Sequence, residues 1–398
     1  MGSRREAVII GAGKMGRGFC AEILASAGCH LTFVDSDEKR VERLRNSGGY
    51  TIYKARRTYF ETVSIESFDA LPLSAEGELS DLIARRGVLV MLAVPFQQLE
   101  SVASLLSVCI ARKAMEAPDE PLDILLCINQ MEAKRQLTKF FENMLGGTAL
   151  EYMHTHVGIV ETVAICMCPE LPDSLAERDP LGVLTIVLPI VSVVLQMDAT
   201  AFRGRPPHSE RIRLTYNLSA EAHRKMYTFN TAYASIAYLS SPKHYVWATE
   251  AMKDPDIHRS VIEALHESSI GLCGEYGFTP EEMEEWNKRI LAVIDNPLLG
   301  DTINRLGSDT PRKVGPQDRL VGAALLCLKY GGKPDTLARV IAYAYRYPAS
   351  DDPRTRLFMR FIESEGIETA LERYSRLALR NQLHRQIREI YESLGDPV

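Results

Sequence analysis

The sequence predicts an α/β fold, with a doubly wound parallel sheet in the first part and a mostly α-helical domain after it. Two observations carry this reading. Short apolar runs alternate with helical patterns up to the breaker cluster Arg203-Gly-Arg-Pro-Pro207, and beyond it almost only helical periodicity remains. A chain of 398 residues is long enough for two such domains, each with its own core.

In order, Ala7–Ile10 reads as the first strand, followed by the turn Gly11-Ala-Gly13-Lys-Met-Gly16, an amphipathic stretch from Arg17 to Ala27, and a second strand Leu31–Asp35. Val88–Val94 and Ile124–Ile128 are further strands, with a helix over Gln97–Lys113 and a surface loop from Pro118 to Pro121. Val157–Val163 and Leu184–Leu188 extend the sheet. Leu181 to Leu195 is nearly all apolar but contains Pro189 and falls short of the ~20 residues a membrane span needs. It reads as two buried strands, or a strand and a bend. The breaker cluster divides the chain into domains 1–205 and 206–398. In the second, Met226, Phe229, Tyr233, Ile236 and Ala237 recur at helical spacing. So do Met283, Trp286, Ile290 and Ile294, stopped by Asp295-Asn-Pro297. Leu320–Tyr330 is closed by Gly331-Gly332.

Composition is that of a globular protein, with 46% hydrophobic and 25% charged residues. A net charge of -6 gives no footprint for nucleic acid. Eight cysteines are scattered without a C-x-x-C pair, and Cys166-Met-Cys168 is too close and isolated for a zinc site. His154 and His156 alternate along a possible strand but have no acidic or cysteine partner at that spacing, so no metal is expected. No secretory leader is legible, so a reducing cytoplasm and free thiols are expected.

The opening segment carries the first chemistry. Gly11 permits the tight turn out of the strand, Gly13 lets a pyrophosphate approach the backbone, and Gly16 lets the helix pack against the sheet. The helix N-terminus then offers N–H groups to phosphate. Asp35, closing the next strand, suits the adenosine ribose hydroxyls and repels a 2′-phosphate, which predicts NAD over NADP. Lys14 and Met15 within the turn, and Val94 closing its strand, complete the expected cofactor set. This is a Rossmann-type signature in its proper context.

The second half supplies the reaction. In Lys225-Met-Tyr-Thr-Phe-Asn230-Thr-Ala-Tyr233, helical geometry places the three polar residues within a roughly 140° arc, with Lys225 and Asn230 at its edges and Tyr233 between them. Arg305 to Arg319 forms a second polar stretch in a Gly/Pro-rich context.

At these residues the chain resembles the polyol-specific long-chain dehydrogenase (mannitol dehydrogenase) family, and is most similar to its mannitol-1-phosphate 5-dehydrogenase branch. The resemblance covers nearly the whole chain. It rests on Gly11-Ala-Gly-Lys-Met-Gly-Arg-Gly-Phe19, Leu31–Asp35, Lys225 with Asn230 in a K-x4-N-x2-H signature, and Arg305-Leu-Gly-Ser-Asp-Thr-Pro-Arg312-Lys313 running on to Asp318-Arg319-Leu. Asp295-Asn296-Pro297 and Ser350-Asp-Asp-Pro353 also look familial. The resemblance implies a two-domain, metal-independent, monomeric dehydrogenase that interconverts a sugar alcohol, or its phosphate (mannitol-1-phosphate/fructose-6-phosphate type), and the ketose. Lys225 would be the general base, which requires a neutral amine favoured by burial or a nearby positive charge. Asn230 and Asn129 would donate to the developing oxyanion. Arg305 and Lys313 would hold the substrate.

Four departures from the family pattern stand out. Its histidine is Tyr233 here, which can donate or accept but stays neutral. The acid of C-[ED]-N is Ile128. V-D-R-I is replaced by Ala164-Ile-Cys-Met167, and an acid-bearing stretch reads Leu188-Pro-Ile-Val191. Cys127 and Cys166 have no activating neighbour legible in the sequence. Two other readings compete: a non-catalytic NAD(H)-binding regulatory protein on the same fold, supported by the lost polar residues, and a hydroxy-acid dehydrogenase of another family, which would want an anion clamp near Lys225.

Overall fold

The computed structural model describes residues 4–56, 59–130, 132–187, 194–296, 300–348 and 352–395. It divides into two compact units, Met1–Leu218 and Ser219–Val398.

The first unit contains twelve strands among the described residues: β1 (Arg5–Ile10), β2 (Cys29–Asp35), β3 (Gly49–Ala55), β4 (Phe60–Glu66), β5 (Asp69–Pro72), β6 (Leu89–Leu92), β7 (Leu122–Leu126), β8 (Val157–Ala164), β9 (Cys166–Met167), β10 (Val183–Val187), β11 (Leu195–Asp198) and β12 (Ile212–Thr215). Eight form one sheet in the order β12-β11-β8-β7-β6-β1-β2-β5. From β5 to β8 all pairings are parallel, and β11 joins β8 antiparallel. The parallel part is the doubly wound order, whose direction reverses between β1 and β6. Gly11 follows β1 and Val94 follows β6, so the two expected cofactor segments flank that switch point.

Burial explains why these strands read as unbroken apolar runs. Ala7 and Ile9 face one core with Phe33, Met91, Leu125 and Val160. Val8 and Ile10 face the opposite core with Val34, Val90, Leu92, Ile124 and Leu126. A sheet covered on both faces needs an apolar side chain at every position. Beneath the second face, Lys113 is fully buried in the helix Leu99–Glu116. Its Nζ donates to the carbonyls of Ile83 (3.0 Å), Ala84 (3.2 Å) and Arg85 (2.8 Å), closing the C-terminus of the helix Glu76–Ala84.

A second sheet, β4-β3-β10-β9, covers the helix that follows the glycine turn. Tyr50 Oη donates to Arg17 O at 2.7 Å, and Val183 and Thr185 crowd Gly18. Sequence periodicity misses β3, β4, β5, β9 and β12. The hairpin β3–β4 is only partly buried, with Thr51, Lys54, Glu61, Thr62 and Ser64 among its residues, and β5 is four residues ending in proline. The apolar run from Leu181 ends β10 and begins β11; residues 188–193, including the departure at Leu188–Val191, lie outside the described residues.

The compact units divide at Leu218 and Ser219, beyond the expected boundary at 205: Arg203 and Gly204 donate their N–H groups to the buried Asp123 carboxylate at 2.8 and 3.0 Å, and β12 pairs with β11. The breaker cluster is thus held on the first unit. His154 and His156 end a helix, Gly147–His156, where a two-residue spacing puts them on different faces. Among the described residues, no cluster of metal-ligating side chains forms.

The second unit is helical. Its long helices start on designed caps: Asp254 accepts from Asp256 and Ile257 N–H ahead of Pro255–Tyr276, and Thr279 with Glu282 makes a capping box ahead of Pro280–Ile294. Proline at the first helical position favours both starts. Asp295 and Asn296 follow that second helix; Pro297 lies outside the described residues, as do Ser350 and Asp351. Among the described residues no helix is long and apolar enough to cross a membrane.

Candidate active site

In the first unit the glycine turn is built by close contacts. Gly11 has φ +100°, and a Cβ there would lie 2.5 Å from the carbonyl oxygen of Ala93. A Cβ on Gly16 would lie 1.9 Å from the carbonyl oxygen of Gly11, so turn and helix touch backbone to backbone. Gly13 differs: a Cβ there would meet nothing within 4 Å, which leaves room for a ligand against the backbone. The helix opens as a wide turn over Met15–Cys20, without a side-chain cap on its first N–H groups. These features fit a dinucleotide pyrophosphate.

Asp35 is buried at the end of β2. Its Oδ2 accepts from Ala12 N–H at 2.7 Å, and its Oδ1 accepts from Asp37 N–H at 2.9 Å and from Arg40 at 3.0 Å. Three donors leave about one acceptor site of the carboxylate for a ribose hydroxyl. Arg40 is also held by Asp37 at 3.2 Å. The Lys14 side chain pairs with Glu170, and Met15 packs beside Cys168 (3.7 Å between the sulfurs). Both therefore present backbone, not side chain, to the turn. Val94 is buried against Gly11. Asn129 is exposed just beyond the carboxyl end of β7, and Ile128 packs partly into the core.

Four thiols gather beside this turn, a grouping that their spacing in the sequence does not announce. Cys20 lies beside Cys127, and Cys166 beside Cys168. Contact with Cys127 and then burial push Cys20 well up; burial and then contact with Cys168 do the same to Cys166. Such thiols are poor nucleophiles. Ile165 and Cys166 are buried, which is where the family's charged pair has been replaced.

In the second unit, Lys225 and Asn230 lie on a helix interrupted by a π turn over Lys225–Phe229. The Asn230 N–H donates to the carbonyl of Lys225, five residues back. Regular helical geometry sets these residues at opposite edges of an arc. The i→i+5 turn narrows that arc and bonds the Asn230 backbone to the Lys225 carbonyl. Thr231 anchors the turn: its hydroxyl donates to Arg319 O at 2.7 Å and to Met226 O at 3.3 Å. The Asn230 amide is buried and its Nδ2 sits 3.3 Å from Met226 Sδ. Tyr233 is buried in the apolar stripe against Phe229, with ring centroids 5.1 Å apart.

The polar stretch forms two short helices, Ile303–Gly307 and Thr310–Lys313. Arg305 pairs with Asp301, a residue that the sequence pattern did not single out because an acid before a helix reads as a solvated cap. Arg312 pairs with Asp309 (2.6 Å) and Asp318 (3.2 Å), and Arg319 with Asp318 (2.7 Å). Lys313 is buried and donates to the carbonyl of Leu306. Burial, then Arg319 and Arg312, hold its ammonium well below the usual lysine range. Asp352 fixes this stretch by accepting from Asp309 N–H at 2.6 Å and from the Thr355 hydroxyl at 2.5 Å.

Residues 5–185 match the mannitol dehydrogenase Rossmann domain, and residues 217–394 match the mannitol dehydrogenase C-terminal domain. A solved structure of Pseudomonas fluorescens mannitol 2-dehydrogenase, a ternary complex with NAD and D-mannitol, is similar with a TM-score of 0.78 at 16% identity. The match covers 99% of this chain and 92% of that one. D-sorbitol dehydrogenase in substrate-free form is similar with a TM-score of 0.78 at 13% identity, over 99% and 93% of the two chains. At these identities the likeness is one of fold.

Proposed function

The chain belongs to the mannitol dehydrogenase family, and from that premise we propose that it is an NAD-dependent polyol dehydrogenase interconverting a sugar alcohol and its ketose. The observation that carries the proposal is the π turn that bonds the Asn230 backbone to Lys225 and supports a base and a hydrogen-bond donor on neighbouring turns of one helix. The open backbone at Gly13, the uncapped helix start and the pinned Asp35 support NAD. When bound, NAD supplies the hydride acceptor.

In this proposal Lys225 takes the proton of the alcohol, and the Asn230 amide donates to the oxygen as it becomes a carbonyl. Asn129 carries the same donor role from the first unit by resemblance. Arg305 and Lys313 orient the substrate. The arginine-rich stretch sets three arginines, Arg305, Arg312 and Arg319, against three carboxylates, Asp301, Asp309 and Asp318. That balance favours a neutral polyol. The phosphate ester of the mannitol-1-phosphate type is the second substrate, and one observation favours it: Arg319 Nη2 is buried without a partner beside Lys313. Eight free cysteines suit a reducing cytoplasm, and the enzyme is proposed to act as a monomer.

The test is NADH oxidation and NAD reduction against mannitol, sorbitol, fructose, mannitol 1-phosphate and fructose 6-phosphate. Turnover of the free polyols is expected. Lys225→Ala is expected to lose most activity while NADH affinity is kept; an undiminished rate would remove Lys225 from the mechanism. Tight NADH binding with a silent panel would favour the non-catalytic reading, against which the preserved Lys225–Asn230 register stands.

A further inference from the structure

One tryptophan of the second unit holds Arg224, the residue just ahead of Lys225, at both ends. The indole Nε1–H of Trp286 donates to the Thr228 hydroxyl at 2.8 Å, and that hydroxyl donates on to the Arg224 carbonyl. The same ring lies against the Arg224 guanidinium, with its centroid 4.2 Å from Cζ. Phe278 adds a second ring at 4.7 Å, and Glu221 pairs with the guanidinium from one turn back. The side chains of that ion pair are only 13% and 12% exposed. Trp286 lies within the helix Pro280–Ile294 and Phe278 just precedes its cap, so a separate element grips this one residue.

The grip falls at a junction. Arg224 ends the regular helix Leu218–Arg224, and the π turn Lys225–Phe229 begins at the next residue. Such turns are rare and occur mostly at functional sites. Thr231 ties the far side of the turn to Arg319 O at 2.7 Å, and Arg224 with Thr228 ties the near side to Trp286. An apolar side chain would fill the space between two rings without the cost of burying a charge. A guanidinium does more than fill it: the group is planar, stacks on aromatic faces and is oriented by its carboxylate. Glu221 neutralises it, so its contribution is direction and not net charge.

We infer that Arg224 is a positioning residue for the proton transfer. Clamped by Trp286, Phe278 and Glu221, it fixes the point at which the backbone leaves the regular helix, and with it the base of the Lys225 side chain. This rests on the reading of Lys225 as the general base and adds a residue that acts only through its neighbour.

The test removes both charges together. Arg224→Met with Glu221→Gln keeps a long side chain between the rings and strands no buried charge. In this double variant kcat should fall about tenfold or more, while KM and the NADH Kd stay within about twofold of wild type. Arg224→Lys restores the charge without the planar fork, so its kcat should lie between the two. Trp286→Phe keeps a ring and removes the N–H, and should lower kcat less, again at unchanged KM. All rates are taken well below each variant's Tm, and the two conservative variants decide the matter if the double variant does not fold. Unchanged kcat throughout would overturn the inference and leave Lys225 as the base. So would parallel losses in kcat, KM and NADH affinity, which would mark the clamp as support for the fold alone. If the wild type turns over no polyol, the polyol reading fails. The inference is then decided by the rate at which an acetylating reagent modifies Lys225, followed by mass spectrometry. A change of about threefold or more at Lys225, with the other lysines unaffected, upholds it, and an equal rate overturns it.

Discussion

The glycines of the first turn are similar residues with opposite sensitivities. Gly16→Ala places a methyl 1.9 Å from a backbone oxygen, so the turn must move and the protein should lose both stability and NADH binding. Gly13→Ala meets open space, so its Tm should stay near wild type while NADH affinity falls. Thermal melts beside fluorescence titration of NADH distinguish the two; a Gly13→Ala protein with full NADH affinity would place the pyrophosphate elsewhere. Asp35 gives a second residue-scale prediction. Arg40 is neutralised by Asp35 and Asp37. Asp35→Ser frees one side of the guanidinium and removes the repelling carboxylate, so preference should shift toward NADPH by about tenfold or more. The ratio of kcat/KM for the two cofactors measures it. The fingerprint residues were legible because each acts through its own local backbone. Asp301 was not, since only folding shows it buried against Arg305.

At the scale of single elements, the π turn matters most. It left no trace in the periodicity, because one extra residue in a helix shifts the apolar stripe by less than its width. Its reality can be tested through Thr231, whose hydroxyl serves Met226 O and Arg319 O. Thr231→Val keeps the shape and removes the donor. The expected cost is about 1–2 kcal/mol of stability, with a lower kcat from loss of the Lys225–Asn230 register. A variant that melts like wild type and keeps its kcat would show that the turn needs no anchor. The helices Leu99–Glu116 and Pro280–Ile294 were legible from periodicity, the second also from the stop that follows it. The helix ending at His156 was not: its alternating histidines mimic a strand, and the tertiary packing of Tyr152 and Met153 decides the matter.

Over the whole molecule, stability should depend on acid through carboxylates held in their ionised form. Lys243, together with the N–H groups of Asp256 and Ile257, pulls Asp254 down to about 2 against the opposing effect of desolvation. Burial raises Asp318, but Arg319 and Arg312 lower it further. A folded pKa below the unfolded value of about 4 means stabilisation that is complete above that value and is lost as pH falls through the folded one. The second unit should therefore loosen between about pH 4 and pH 2, with its helix signal falling. Asp254→Asn keeps a capping oxygen but cannot be protonated there, so its circular-dichroism acid titration should be shallower; an identical slope would remove Asp254 from the transition. The division into a sheet-based and a helical unit was legible at this scale, because short apolar runs alternating with helical patterns give way to helical periodicity alone along the chain. The second sheet was not, since its strands are brought together only by the completed fold.

That second sheet also sets a schedule for the chain as it is made. Ile52 of β3 pairs with Val183 of β10, roughly 130 residues later. At synthesis rates of roughly 5–20 residues per second, the β3–β4 hairpin leaves the ribosome on the order of 10 s before its partner exists. During that interval one edge of β3 is open to strands of other nascent chains. Lys54, linked to Glu22 at 2.8 Å and to Glu61 at 3.5 Å, sits on this hairpin. In the unfinished chain its charge makes the waiting edge a poor template for neighbours, and in the finished one it closes a buried ion pair.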